Sequence, residues 1–86
     1  MRISVRTRTT KRGLEPCSIF VGRSRLPVVR VLACRELPEH RCYELDVLDG
    51  RCFVIHHAPQ SDVWELEAVY TDGLALRRMR IQPDRP

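Results

Sequence analysis

Lysine is nearly missing from this chain: Lys11 stands alone among fifteen basic residues, and five aromatic residues make up only 6% of the sequence. No apolar run approaches the ~20 residues that a membrane-spanning helix needs. The four glycines, Gly13, Gly22, Gly50 and Gly73, stand singly, which excludes a glycine-rich loop that cradles phosphates. Cys17, Cys34, Cys42 and Cys52 are separated by 17, 8 and 10 residues, so the close cysteine pairs of structural zinc sites are missing too. The amino-terminal segment Met1 to Arg8 interleaves arginine with apolar residues and has no continuous apolar stretch of the secretory kind. Residence in the cytoplasm is therefore expected, with the cysteines kept as thiols; an oxidising compartment would leave three disulfide pairings open. No metal or other cofactor is expected, and Cys17, Cys34 and Cys52 read as small core fillers.

What remains is a chain of 86 residues, 43% hydrophobic and 30% charged, long enough for one domain and too apolar for disorder. The domain is expected over 1–81, with a fraying tail over 82–86. A domain of this size buries only about 60% of its unfolded surface, which disfavours a deep enclosed active site. The net charge of +4 conceals a segregation. Residues 1–35 carry nine Lys or Arg against Glu15, residues 36–72 carry Arg41 and Arg51 against nine carboxylates, and residues 73–86 return to basic.

The patterning is that of a small all-β domain, with turn signals every 8 to 12 residues. Residues 2–9 alternate Ile3, Val5, Thr7 and Thr9 with Arg2, Ser4, Arg6 and Arg8. Residues 17–21 give a second strand, and Gly22-Arg23-Ser24-Arg25 a polar turn into a third over 28–35. There Val28, Val31 and Leu32 also satisfy helical spacing, but Pro27 and the valine-rich run favour β. Arg41 to His57 is a hairpin about Leu48-Asp49-Gly50. A three-residue loop with Gly50 in the left-handed region pairs Val47 with Arg51 and gathers Tyr43, Leu45, Val47, Phe53 and Ile55 on one face. In the sixth strand, 63–70, Trp64, Leu66, Ala68 and Tyr70 share a face, away from Glu65 and Glu67. Residues 74–81 suit a last strand or a short helix. Six or seven strands in so short a chain predict one strongly bent antiparallel sheet or a small SH3-like barrel, its core anchored by Trp64, Tyr43 and Phe53.

Arg2, Arg6 and Arg8 recur on one side of the first strand, at about 6.8 Å per two residues, and Lys11 and Arg12 follow. Arg23 and Arg25 flank Phe20, the one aromatic not assigned to a core face. Such a stripe is the footprint that a DNA or RNA phosphate backbone selects, without base preference. Internal pairing with Glu44, Asp46, Glu65 or Glu67 is the competing reading. Cys42 faces His56 across the hairpin, a pair able to share a metal or to act as a nucleophile and its base, but the cysteine spacing argues against zinc. Glu44 with Asp46, and Glu65 with Glu67, point outward and read as solvated or paired, so no catalytic constellation is expected and the protein reads as not an enzyme.

The series Phe20-x4-Arg25-x-Pro27-x3-Val31-Leu32, Tyr43-x-Leu45-x-Val47-x2-Gly50-Arg51-x-Phe53-x-Ile55 and Trp64-x-Leu66-x2-Val69-Tyr70 resembles an uncharacterised bacterial β-domain family. Members are often encoded beside, or fused to, relatives of Y-family translesion polymerases. The resemblance implies an accessory role near DNA damage tolerance, with a polymerase-related protein as partner, and it carries over no catalytic or binding residue. Two functions are thus expected to compete. One is a noncatalytic nucleic-acid-binding module using Arg2, Arg6, Arg8, Lys11, Arg12, Arg23 and Arg25. The other is a protein-interaction module using the acidic sheet face or an open strand edge.

Overall fold

A computed structural model describes residues 1–71, which form six strands and no helix. These are β1 (Arg2–Thr10), β2 (Gly13–Val21), β3 (Ser24–Glu36), β4 (Arg41–Val47), β5 (Cys52–Ala58) and β6 (Val63–Tyr70). They close in chain order into an antiparallel barrel, so the barrel alternative holds over the open bent sheet. The element expected over 74–81 and the tail over 82–86 lie outside the described residues.

The β4–β5 hairpin has the three-residue loop. The Val47 N–H donates to the Arg51 carbonyl at 3.0 Å, Leu45 pairs with Phe53, and Tyr43 pairs with Ile55. Gly50 sits at φ +94, where an L side chain is strained. Asp49 completes the turn: its carboxylate accepts from the Arg51 backbone N–H at 3.0 Å and from Arg51 Nε at 2.8 Å. Those bonds, the side-chain one foremost, hold the Asp49 carboxyl below its ordinary pKa.

Two strands run longer than their sequence suggests. β2 begins at Gly13, four residues before the expected start, because the turn after β1 takes only Lys11-Arg12, and β3 begins at Ser24 because the next turn narrows to Gly22-Arg23. Pro16 and Pro27 therefore lie inside strands, each where pairing is interrupted. Pro16 follows a shift in register that leaves Cys17 without a partner on β1. Pro27 is the last β3 residue paired to β2 before Val28 pairs with Val47 of β4. Proline donates no ladder hydrogen bond and is tolerated at such points.

β3 carries two further irregularities, at Val29 and Leu32, which have no counterpart on β4. An extra residue bends a strand and increases its twist. Here it lets β3 leave β2 and continue along β4, turning a corner of the barrel. The bulge at Val29 also explains the helix-like spacing. Val28 and Val31 both pack against the core, although they are three apart, while Val29 is exposed.

The core comprises Ile3, Ile19, Tyr43, Leu45, Val47, Phe53, Ile55 and Trp64, flanked by Val5, Val21, Leu26, Val28, Val31 and Leu66. The ring closes through a short seam: Arg2 pairs with Glu65, Ile3 pairs with Trp64, and the Leu66 N–H donates to the Met1 carbonyl at 2.7 Å.

On β6 the single face expected for Trp64, Leu66, Ala68 and Tyr70 is broken. Leu66 pairs with Ile55 but Ala68 with Val54, so Glu67 is an extra residue and the alternation reverses beyond it. Ala68 and Tyr70 stand opposite Val54 and Cys52, on the side away from the core, and Val69 opposes Phe53.

Leu45 is fully buried, and Leu45→Ala is expected to cost about 2–5 kcal/mol, read from urea unfolding. At Gly50 an added Cβ would meet nothing within 4 Å, so a substitution there acts through the backbone alone. Gly50→Val is expected to lose more than about 1 kcal/mol, and Gly50→Asn less, since Asn tolerates positive φ. Equal thermal shifts for the two variants would contradict this account of the turn.

Candidate nucleic-acid interface

The alternation of β1 decides where its arginines go. Ile3 is buried and Val5 packs on the core, so Arg2, Ser4, Arg6 and Arg8 face outward, and all three arginines are exposed. The bulge at Cys17 lies on β2, so β1 itself stays regular and its arginines keep to one side. Directly opposite Arg6 is Ser18, small and buried, and opposite Ser4 is Phe20, which in turn pairs with Arg25 of β3. Phe20 is half-buried, with the Arg6 guanidinium carbon 6.0 Å from the ring centre. That contact is a weak cation–π approach at the edge of the useful range.

Lys11 and Arg12 occupy the two-residue turn between β1 and β2. There the Thr10 hydroxyl accepts from the Arg12 N–H and donates to the Gly13 carbonyl, both at 3.1 Å. Arg23 lies in the turn between β2 and β3, at the other end of the same sheet. The cationic band therefore runs from one turn to the other along nine-residue β1, a span of roughly 27 Å at the usual rise. Beside it, a shallow cleft of about 320 Å³ lies between the β1–β2 ribbon and β3, with Arg8, Arg12 and Arg30 on its wall together with Glu15.

Eleven basic side chains fall within residues 1–71, and they divide cleanly. Arg30 reaches Asp46 at 3.0 Å, Arg35 reaches Glu44 at 3.8 Å, Arg41 reaches Glu36 at 2.7 Å and Arg51 reaches Asp49 at 2.7 Å. The pKa of Arg41 is raised, chiefly by a hydrogen bond with Tyr43 and then by Glu36. Arg2, Arg6, Arg8, Lys11, Arg12, Arg23 and Arg25 are all exposed, and among the described residues none of them forms an ion pair. Register sets Arg8 opposite Glu15 and Arg2 opposite Glu65, yet neither pair closes to a salt bridge.

Of the four acids expected to point outward, solvated or paired, Glu44 alone departs, by its burial. Glu44 is buried rather than solvated, Asp46 is held by Arg30, and Glu67 is engaged by His56, leaving Glu65 exposed. The cysteines also depart from expectation. Cys52 and Cys42 are buried, though both on the side of their strands away from the core cluster, while Cys17 is half-buried and Cys34 is exposed. All four are free thiols.

Cys42 does stand opposite His56, and the structure adds a third group that the sequence reading had placed with Glu65 on a solvent face. Glu67 is the extra residue of the β6 bulge, and one ligand atom from each of Cys42, His56 and Glu67 lies within 4.8 Å of the others. The His40 ring leans on that of His56, centroids 4.5 Å apart. Nearby, His57 stacks on Trp64 at 3.9 Å and meets Asp62 at 2.9 Å. The Cys42 thiol is pushed up in pKa, first by burial and then by Glu67. A raised pKa is the reverse of what an activated nucleophile needs. Comparison with family models, with curated proteins and with solved structures finds no match for this chain.

Proposed function

We propose that the protein is a noncatalytic accessory module that binds nucleic acid through its phosphate backbone, using the outer face of β1, β2 and the first turn of β3. One observation carries the reading. Among the described residues the seven cations on that face form no ion pair, whereas each of the other four arginines is held by a carboxylate. A charge left unpaired beside others of its sign is repulsive in the free protein and is relieved when an external polyanion arrives and counterions leave. Arginine suits this task because its planar fork grips phosphate oxygens in pairs. Phe20, between Arg6 and Arg25, offers a partly open ring on which one unpaired base can stack, which favours single strands over duplex. With one such ring, the face has no means of reading sequence. The family resemblance supplies the setting of this reading: DNA made single-stranded at sites of damage tolerance, beside a polymerase-related partner. The protein-interaction alternative is weakened, since three of its four acidic groups are taken up within the molecule.

Fluorescence anisotropy with single- and double-stranded oligonucleotides of varied sequence, at low and moderate salt, tests the proposal. Binding is expected to be sequence-tolerant and salt-sensitive. Arg6→Ala should weaken it uniformly and flatten the log–log salt slope by about 0.7–0.9. Phe20→Ala should cost roughly 1–3 kcal/mol on single strands and little on duplex. Arg51→Ala, outside the band, serves as the control and should change nothing. Absence of binding at low salt, or binding untouched by joint replacement of Arg2, Arg6 and Arg8 with Glu, would remove the proposal.

A further inference from the structure

We propose that Cys42, His56 and Glu67 form a binding site for a zinc-class divalent metal ion, with a fourth coordination position open to solvent. The three come from three adjacent strands, β4, β5 and β6, and converge on the outer side of the barrel. The site's β6 neighbours β1, where Arg2 stands opposite Glu65, but none of the three ligands belongs to the arginine band, and the proposal does not depend on that band's function.

Three features lift the cluster above a chance meeting of polar groups. The donor set is a thiolate sulfur, an imidazole nitrogen and a carboxylate oxygen, a mixture that suits zinc and its neighbours and disfavours magnesium or calcium, which take oxygen donors. The mutual separations, all within 4.8 Å, need only small side-chain movements to reach metal–ligand bonds of about 2.0–2.3 Å. Finally, the cluster sits at a backbone irregularity. Regular pairing would continue the alternation past Leu66; the extra residue at Glu67 interrupts the ladder, and its carboxylate meets His56 Nε2. Bulges recur where a side chain must be re-aimed.

The wider surroundings suit an ion. Cys42 is buried and Glu67 exposed, so the site is walled on one side and reachable from the other. A cleft of about 240 Å³, lined by His56 together with Glu39, His40, Ala58, Val63 and Glu65, gives an approach from solvent. His40, its ring tilted against that of His56, restricts the movement of that ring, a positioning role. On coordination the Cys42 thiol releases its proton to solvent, the ordinary cost of metal binding by cysteine. Three protein ligands and one open position is the arrangement of exchangeable or reactive zinc centres rather than of closed structural ones.

The test uses the full chain, stripped of metal with a chelator and kept reduced, titrated with Co²⁺ and followed by absorption. A saturable thiolate-to-metal charge-transfer band with visible bands of tetrahedral intensity is expected, and Zn²⁺ should abolish it by displacement. Cys42→Ser should eliminate the charge-transfer band, while Cys34→Ser leaves it intact. Glu67→Gln alters an exposed group and so preserves the fold; it should weaken Co²⁺ by more than about tenfold, the least that outer partners of a metal site contribute. Far-UV circular dichroism establishes that each variant is folded. A titration with no charge-transfer band, a band that survives Cys42→Ser, or unchanged affinity in a folded Glu67→Gln would each overturn the site.

Discussion

The register of the β4–β5 hairpin is the constraint from which most of the molecule follows. With Leu45 opposite Phe53 and Tyr43 opposite Ile55, one side of both strands is wholly apolar and can be buried. The same register fixes the opposite side: Cys42 against His56, Glu44 against Val54 and Asp46 against Cys52. A slip of one residue would turn the apolar set of one strand away from that of its partner and expose large core residues. The turn chemistry of Asp49 and Gly50 is thus more than local, because it selects which of two incompatible barrels the chain can make.

Strand order in the barrel follows strand order in the chain, and this converts a pattern in one dimension into a pattern on a surface. The basic block of residues 1–35 becomes one sector, β1 to β3, and the acidic block becomes another, β4 to β6. At the β3–β4 border between them, Arg30 and Arg35 cross to Asp46 and Glu44, while Arg41 and Arg51 find acids close in sequence; at the other border, β1–β6, Arg2 faces Glu65 without closing to a salt bridge. The sector farther from that border has Glu15 as its one acid within residues 1–35, too few to neutralise it. Its uncommitted charge is therefore a consequence of topology as much as of composition.

Those parts of the fold governed by strict alternation were legible in the sequence: β1, the central hairpin and the bounds of β6. The parts governed by interruptions of that alternation were not. Bulges at Cys17, Val29, Leu32 and Glu67 leave no simple mark in a pattern of apolar and polar residues, because their stabilisation comes from ring closure and neighbouring strands. Hence β2 and β3 look shorter in the sequence than they are, Val28 and Val31 imitate helical spacing, and Tyr70 lies on the side opposite to the one expected. The arginine band was visible because β1 escapes such interruption. The Cys42–His56 pairing was visible for the same reason, whereas the reading of Glu67 as solvated or paired did not name His56 as its partner. Burial of Glu44 was also missed, since its neighbours in sequence give no sign of enclosure.

The joint between β1 and β6 differs in strength from every other around the ring, resting on two paired residues and the bond from Leu66 to Met1. Few hydrogen bonds need break there, so the ring has a designated place to part while the remaining ladders hold. When it does, Ile3 and Trp64 lose each other's cover and two raw sheet margins appear, each a template for another chain. The opening Met1-Arg2-Ile3 segment is thus a latch: its fastening keeps separate molecules from zipping together.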